Sequence, residues 1–391
     1  MQYNFDEIIE RKGTNSLKHD FAAERGVPEG LISLWVADMD FKTAPCVTEA
    51  LIESAKHSVF GYSETKKSGR YFHAVRDWFA KRFDFRIKPE WLVKTPGIVY
   101  AICAAIRAFA NPKESVMIQT PVYYPFRESI EANGRKTITS PLLCEDGKYY
   151  MDFDDFESKI EKNKVKLFIL CSPHNPVGRV WTVGELTKIG KICQKHGVLV
   201  ISDEIHCDFV YSGHKHTVFG AIGEDFLKNS VICTSPSKTF NLAGLQLSNI
   251  FIADNILRRK FRREISKTGY SQHNSMGLVS CQAAYESGGE WVDALVGYLE
   301  KNYLYIKGFI SDNLPQVRLA KLEGTYLAWL DLNAYGFSEA ELDRAMTEKA
   351  KLWVDNGSIF GGEGKGFIRI NIACPLETLK RAFDQLARAL E

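Results

Sequence analysis

The sequence lacks the long apolar runs that membrane proteins carry. No stretch of its 391 residues approaches the ~20 consecutive apolar residues that a membrane-spanning helix needs, and residues 1–20 have no apolar centre of the kind found in signal peptides. We therefore expect no membrane association. The net charge is only +2, from 50 basic and 48 acidic residues, so no strong basic field indicates nucleic acid as a partner.

Paired-cysteine motifs are absent as well. Nine cysteines are scattered along the chain, and no two have the CxxC spacing of a zinc or redox site. We expect no bound metal, because four histidines show no ligand spacing with other donors: His206, His214, His216 and His273. Scattered thiols are typical of a reducing compartment, so the sequence predicts a cytoplasmic protein.

Short apolar runs recur through the middle of the chain instead. Each is too short for a helix and too continuously apolar for a half-exposed strand, which is the pattern of buried parallel strands. Helical patterns such as residues 183–196 separate them, so the sequence predicts an α/β fold with a doubly wound, mostly parallel sheet. The four runs are Ser115 to Gln119, Lys166 to Cys171, Val198 to Ile201 and Val231 to Cys233.

The C-terminal third has a different pattern. A long amphipathic stretch over residues 291–311 precedes strand-like segments at 325–330 and 367–372, which interleave with helical patterns at 338–351 and 376–390. This alternation predicts a smaller α+β domain that the N-terminal segment completes. We predict a large domain over residues 46–285 and a smaller one formed by residues 1–45 and 286–391.

Polar residues follow each of the four apolar runs. In an open parallel sheet, ligands bind in the crevice beyond the carboxyl ends of the strands, so these residues should surround one site. In chain order they are Tyr123 and Tyr124, then Asn175, then Asp203 and His206, and finally Ser235, Ser237 and Lys238.

The residue types at this site suit a carbonyl cofactor better than a metal. A lysine at a strand end among small hydroxyl residues favours Schiff-base chemistry, because its amine must be neutral to attack an aldehyde. Pyridoxal 5'-phosphate (PLP) also needs an acidic partner that keeps its ring nitrogen protonated, so that the ring can accept the electrons of a carbanion. Lys238 and Asp203 are the candidates for these two tasks.

Structural roles remain open for several of these residues. Asn175 lies between prolines and can shape a turn, and Tyr123 and Tyr124 can be core aromatics. Arg369 in an apolar strand can form a structural ion pair. The segment 235–238 also matches the S-x-x-K motif of penicillin-binding enzymes, although the other motifs of those enzymes do not fit into the space that follows.

Four motifs occur in the order and at the spacing of the class I/II aminotransferases of fold type I, which the chain resembles: Ser172–Gly178, Asp203–His206, Ser235–Lys238 and Phe367–Asn371. Within that group the chain most resembles the MalY/PatB-type cystathionine β-lyases, the cystalysin-like carbon–sulfur lyases. This second resemblance rests on Arg11–Ser16, Trp35–Phe41, His206, Ser235–Leu245 and Glu323–Tyr326.

The resemblance implies PLP as the cofactor, with Lys238 as the Schiff-base lysine and Asp203 paired with the pyridinium nitrogen. It implies that Asn175 hydrogen-bonds the ring hydroxyl, that Tyr123 stacks on the ring, and that His206 lies near the cofactor. The phosphate would be held by hydroxyl groups and by amides of a glycine turn that opens a helix. Those residues are Ser235, Ser237, Gly97, Ile98 and Val99.

On the substrate side, the resemblance implies that Arg369 binds the α-carboxylate, with Tyr124, Ala37 and Asn175 beside the substrate. It also implies a two-fold symmetric homodimer in which Tyr62 reaches the cofactor site of the neighbouring subunit. A sulfur amino acid is the expected small-molecule partner.

The implied reaction is β-elimination from L-cystathionine or L-cysteine, giving a thiol or sulfide, pyruvate and ammonia. Two departures from the plain aminotransferase pattern favour the lyase group. His206 stands where many aminotransferases have a tyrosine, and Gln246 where they often have a phosphate-binding arginine. An amino-acid aminotransferase using the same residues, and a regulatory or binding protein with this fold, remain as alternatives.

Overall fold

The computed structural model describes residues 3–391. In chain order its strands are β1 (Ile32–Ser33), β2 (Leu92–Thr95), β3 (Ser115–Thr120), β4 (Lys136–Pro141), β5 (Leu143–Glu145), β6 (Lys148–Tyr150), β7 (Val165–Cys171), β8 (Leu199–Asp203), β9 (Ser230–Thr234), β10 (Ser248–Phe251), β11 (Arg318–Leu319), β12 (Leu327–Asp331), β13 (Leu352–Trp353), β14 (Asp355–Asn356) and β15 (Phe367–Asn371).

The helices of the same residues are α1 (Pro45–His57), α2 (Arg70–Phe83), α3 (Ile98–Phe109), α4 (Pro125–Ala132), α5 (Phe153–Asn163), α6 (Val183–Lys195), α7 (Glu224–Lys228), α8 (Pro236–Thr239), α9 (Asn255–Lys267), α10 (Ser275–Ser287), α11 (Gly289–Asn313), α12 (Glu339–Arg344) and α13 (Leu376–Leu390). None of them is long and apolar enough to cross a membrane.

A seven-stranded sheet forms the centre of the molecule, in the order β2-β10-β9-β8-β7-β3-β4. The four predicted apolar runs are β3, β7, β8 and β9, and each pairs in parallel with its neighbours among them. β10 runs antiparallel to both β2 and β9. The predicted mostly parallel sheet is therefore confirmed.

Alternate residues of the strands face two different cores. In β7, Leu167 and Ile169 belong to one apolar cluster, while Phe168 and Leu170 belong to another. Because successive side chains of a strand point to opposite faces, the sheet is covered on both sides, as a doubly wound fold requires. This explains why the runs are continuously apolar rather than alternating.

The C-terminal third forms a second, antiparallel sheet in the order β11-β12-β15-β14. The N-terminal segment joins this region, because β1 pairs in parallel with β13. The helix predicted over residues 338–351 is shorter than expected. α12 ends at Arg344, and a π-helical turn continues it through Ala345–Lys349. The proposed domain boundaries stay a prediction.

Candidate active site

A cavity of about 490 Å³ opens at the carboxyl ends of the central parallel strands. Loops after β3, β7, β8 and β9 and strand β15 all supply residues to it. Every predicted site residue except Tyr62 lines this cavity: Ala37, Gly97, Ile98, Val99, Tyr123, Tyr124, Asn175, Asp203, His206, Ser235, Ser237, Lys238 and Arg369. The topology thus assembles the four polar clusters, as predicted from the strand ends.

Lys238 lies in the short helix α8, directly after β9. Its Nζ donates a hydrogen bond to the carbonyl oxygen of Ala37 at 2.6 Å. Burial lowers the pKa of Lys238 to about 8, against the opposing effects of the Asp38 and Asp203 carboxylates. A lysine with this pKa is partly neutral near physiological pH, which both nucleophilic attack and proton abstraction require.

Asp203 is the last residue of β8 and is 4% exposed. Burial raises the pKa of Asp203 to about 7, although the Ile205 amide donates to its Oδ1 at 3.1 Å. A buried carboxyl group of this kind needs a cationic or hydrogen-bonding partner in the cavity to remain ionised. Nearby, burial lowers the pKa of His206 well below its usual value, and His206 Nδ1 has no partner among residues 3–391.

Arg369 is buried in β15 and makes several contacts. Its Nη1 donates to Asn175 Oδ1 and its Nη2 to the carbonyl oxygen of Trp35, each at 3.0 Å. Nη2 also forms an ion pair with Asp355, and the guanidinium group lies 4.7 Å from the centre of the Phe360 ring. Within the described residues its Nε is buried without an acceptor. The structure therefore contains the ion pair that the sequence left open, while one donor remains unused.

The glycine turn Gly97 precedes α3, whose first turn lines the cavity. A Cβ atom at Gly97 would meet no other atom within 4 Å, so the space beside this turn is open. The Ser235 hydroxyl accepts a hydrogen bond from the Ser237 amide at 3.1 Å and donates to the Leu247 carbonyl at 2.7 Å. An anion fits here, since the first amides of a helix have no intrahelical acceptor.

Gln246 also lines the cavity, so the cationic side chains of the lining are Lys238 and Arg369. Tyr123 lies beside Tyr124, with ring centres 5.7 Å apart, and its ring is half-buried. Tyr62, by contrast, is 95% exposed and takes no part in the cavity of its own chain.

The loop of residues 35–41 closes one side of the site and is fixed by two asparagines. Asn241 Nδ2 donates to the carbonyl oxygens of Met39 and Phe41, at 2.9 and 3.1 Å. Asn371 Nδ2 donates to the carbonyl oxygens of residues 36 and 38, at 2.8 and 2.9 Å. The Tyr326 hydroxyl donates to the same Ala37 oxygen as Lys238, at 3.1 Å. These contacts determine where the Ala37 carbonyl lies.

Several of these residues were not identified as site residues from the sequence. They are Asp355, Trp35, Asn241, Asn371 and Tyr326. Four of them stand inside motifs that carried the resemblance, which was the available signal: Trp35, Asn241, Asn371 and Tyr326. Asp355 had only an indirect signal, because a buried arginine such as Arg369 requires a carboxylate partner.

The cavity residues fit PLP. The open space at Gly97 and the α3 amides suit a phosphate, and the half-buried Tyr123 ring offers a flat face. Asp203 supplies a buried carboxyl group for a protonated ring nitrogen, and Lys238 supplies an amine for the aldehyde. A separate group of possible metal ligands, Glu157, Glu161 and His196, lies away from this cavity.

A family model described as aminotransferase class I and II matches residues 29–386. The chain belongs to this family. Among curated relatives of this family member, cystathionine beta-lyase PatB of Bacillus subtilis (strain 168) is 44% identical over 388 residues, which cover 99% of this chain and 100% of PatB. Protein MalY of Escherichia coli (strain K12) is 33% identical, over 99% of each chain.

The fold agrees with this family membership. The solved structure of cystalysin from Treponema denticola, which contains a pyridoxal 5'-phosphate cofactor, superposes with a TM-score of 0.96 at 37% identity. The superposition covers 100% of this chain and 99% of cystalysin. The family member thus has the fold type I architecture predicted from its motifs.

Proposed function

We propose that this chain is a PLP-dependent carbon–sulfur β-lyase that cleaves L-cystathionine or related cysteine thioethers to a thiol, pyruvate and ammonia. The observation that carries the proposal is the convergence of Lys238, Asp203 and Arg369 on one cavity, in a chain that matches the cystathionine beta-lyase PatB along its whole length.

Binding of the amino acid is assigned to Arg369. Arg369 lines the cavity and is held by Asn175, Trp35 and Asp355, so a substrate α-carboxylate that enters the cavity meets a guanidinium group already fixed in orientation. A carboxylate placed there directs the α-carbon of the substrate into the cavity that Lys238 shares. Orientation of this kind lowers the barrier, because the reacting groups no longer have to find each other.

Proton removal is assigned to Lys238. A pKa of about 8 leaves part of the population neutral at pH 7, and a neutral amine can accept the α-proton. When bound, PLP supplies an electron sink for the resulting carbanion. The carbon–sulfur bond then breaks, the sulfur leaves with the bonding electron pair, and the three-carbon fragment ends as pyruvate and ammonia after addition of water.

Asp203 has an electrostatic role. As an anion it stabilises a positive charge on the ring nitrogen of the cofactor, and burial makes that interaction strong because water does not screen it. His206, neutral because burial lowers its pKa, adds no competing positive charge on this side of the cavity.

Assembly as a homodimer is part of the proposal, with Tyr62 entering the cavity of the partner chain. Support comes from the exposure of the segment around it: Val59 is 71% exposed, Phe60 64% and Tyr62 95%. Three exposed large apolar or aromatic side chains within four residues, interrupted only by Gly61, are unusual on a free surface. A cytoplasmic location remains a prediction from the unpaired thiols.

Product analysis tests the proposed reaction. The purified, PLP-loaded protein is incubated with L-cystathionine, and pyruvate, ammonia and thiol are measured together. We expect the three in equal amounts without any added keto acid. Formation of a keto acid that retains the sulfur, at the expense of pyruvate, would contradict the lyase proposal and favour transamination.

A further inference from the structure

Arg25 lies against a residue that lines the cavity. Its guanidinium carbon is 4.9 Å from the centre of the Trp35 ring, and Trp35 lines the cavity. Trp35 in turn stacks on Trp353, with ring centres 4.7 Å apart and an interplanar angle of 13°. Arg25 itself is exposed. The guanidinium group is therefore supported by a rigid aromatic pair and remains open to solvent.

A tight turn fixes the position of Arg25. The residues Ala23–Arg25 form one turn of 3-10 helix, which Gly26 ends at a φ of +69°. The Gly26 amide donates to the Ala23 carbonyl at 3.0 Å, and glycine adopts this left-handed conformation without strain. No carboxylate among residues 3–391 forms a salt bridge with Arg25. Its charge is available to a ligand.

Two cations contact the same tryptophan, one at its backbone and one at its ring. Arg369 donates to the Trp35 carbonyl oxygen at 3.0 Å, whereas the exposed Arg25 lies on the Trp35 ring. Trp35 therefore lies between the buried guanidinium group of Arg369 and the exposed one of Arg25. Both charges also act on Tyr124. Burial raises the pKa of Tyr124, and the positive charges of Arg369 and Arg25 oppose that rise.

We propose that Arg25 is a specificity-determining residue that binds the distal carboxylate of a thioether joining two amino acids. This inference rests on the proposed lyase function. Arg369 holds the α-carboxylate of the half that becomes pyruvate, and Arg25 holds the carboxylate of the half that leaves as a thiol. Arginine suits the task because its planar fork binds a carboxylate bidentately while stacking on an aromatic ring.

The kinetic test compares two thioethers. L-Cystathionine carries the distal carboxylate and S-ethyl-L-cysteine does not, while both share the α-amino acid and the carbon–sulfur bond. Arg25→Met keeps an unbranched side chain over Trp35 but removes the charge. We expect its KM for L-cystathionine to rise roughly five- to tenfold and its KM for S-ethyl-L-cysteine to stay within about twofold. Arg25→Lys should be intermediate.

Arg86→Met is the matched control, because Arg86 is exposed before β2 and does not line the cavity. It should leave both KM values unchanged. An equal rise for the two substrates in Arg25→Met would show that Arg25 only supports Trp35, and no change for either would remove Arg25 from the site. Both results overturn the proposal.

A binding measurement separates this inference from the lyase proposal. In a Lys238→Ala background with saturating PLP, the substrates are not consumed, and calorimetry gives the Kd of each thioether with and without Arg25→Met. Selective loss of L-cystathionine affinity supports Arg25 even if the parent protein releases no pyruvate. If Lys238→Ala bound L-cystathionine with the same Kd with and without Arg25→Met, the role of Arg25 would be overturned, whatever the parent protein catalyses.

Discussion

Arg369 and Asp355 stand directly opposite each other on neighbouring antiparallel strands and form a buried ion pair. The pairing neutralises much of the guanidinium charge that burial would otherwise penalise. It also orients the guanidinium group, since Nη2 is held by Asp355 and by the Trp35 carbonyl while Nε remains without an acceptor in the described residues. Arg369 is thus held in position before substrate arrives.

Replacing Arg369 with lysine tests this arrangement. The charge is kept, but the planar fork that contacts Asp355 and Asn175 is lost. We expect KM for L-cystathionine to rise about 10- to 100-fold, because charge-assisted hydrogen bonds to a carboxylate contribute roughly 1.5–3 kcal/mol. The kcat value should fall much less. Steady-state kinetics give both values, and an unchanged KM would remove Arg369 from carboxylate binding.

Lys238→Ala should remove both the covalent attachment of the cofactor and the general base. We expect turnover to fall by at least about 10³-fold. Borohydride reduction followed by peptide mass spectrometry should find the cofactor on Lys238 in the parent protein and on no residue of the variant. A reduced, cofactor-bearing lysine elsewhere in the variant would show that Lys238 is not the attachment site.

The raised pKa of Asp203 has a consequence for the stability of the cofactor-free protein. Its folded-state pKa of about 7 lies above the ~3.9 of an unfolded aspartate, so the folded state retains a proton that the unfolded state releases. The free energy of unfolding therefore falls as pH rises from about 4 to about 7. Asp203→Asn cannot ionise, so its free energy of unfolding relative to that of the parent should rise by about 1–3 kcal/mol from pH 5 to pH 8.

Urea denaturation of the cofactor-free proteins at the two pH values measures this difference. Asp312→Asn is a suitable control, because it makes the same chemical change at an exposed position on α11, away from the cavity. If the difference in the free energy of unfolding between Asp203→Asn and the parent were the same at pH 5 and pH 8, Asp203 would be ionised at both pH values.

Subunit exchange tests whether Tyr62 acts across a dimer interface. Lys238→Ala and Tyr62→Ala proteins, each with low activity, are mixed and allowed to exchange chains. If Tyr62 serves the neighbouring site, each mixed dimer has one doubly damaged site and one intact site. Random pairing should then restore roughly a quarter of parental activity.

If Tyr62 served its own chain, every site would keep one lesion and no activity would return. The exchange itself is verified by native mass spectrometry of differently tagged chains. Full activity of Tyr62→Phe, together with a weakened dimer for Tyr62→Ala, would instead assign Tyr62 to interface packing. Neither outcome affects the role of Lys238.

The parts of the site at strand ends were predictable from the sequence because parallel topology places them together. Asp203 ends β8 and Lys238 follows β9; the two residues are 35 positions apart in the chain, but the strands that carry them to the site are neighbours in the sheet. Hydrophobic continuity identifies such strands, and their carboxyl ends identify the site. Nothing beyond local pattern was needed for these residues.

The remaining parts depend on contacts between distant segments of irregular backbone. Asp355 lies in the two-residue strand β14, which is too short to show any periodicity. Trp35 reaches the cavity because β1 pairs with β13, more than 300 residues away. Arg25 lies in a turn whose sequence resembles any exposed, charged loop. Such positions follow from tertiary packing, which local propensity does not encode.

The hydrogen-bond acceptor of Lys238 is the backbone carbonyl of Ala37, so substitutions at position 37 leave it in place. Changes of the side chain at position 37 therefore do not remove this hydrogen bond. Its sensitive points are instead Asn371, which binds the carbonyl oxygens on either side of Ala37, and Asn241, which binds those of Met39 and Phe41 further along the loop. Substitutions that change the hydrogen bond of Lys238 are therefore expected at Asn241 and Asn371 rather than in the loop that contacts the lysine.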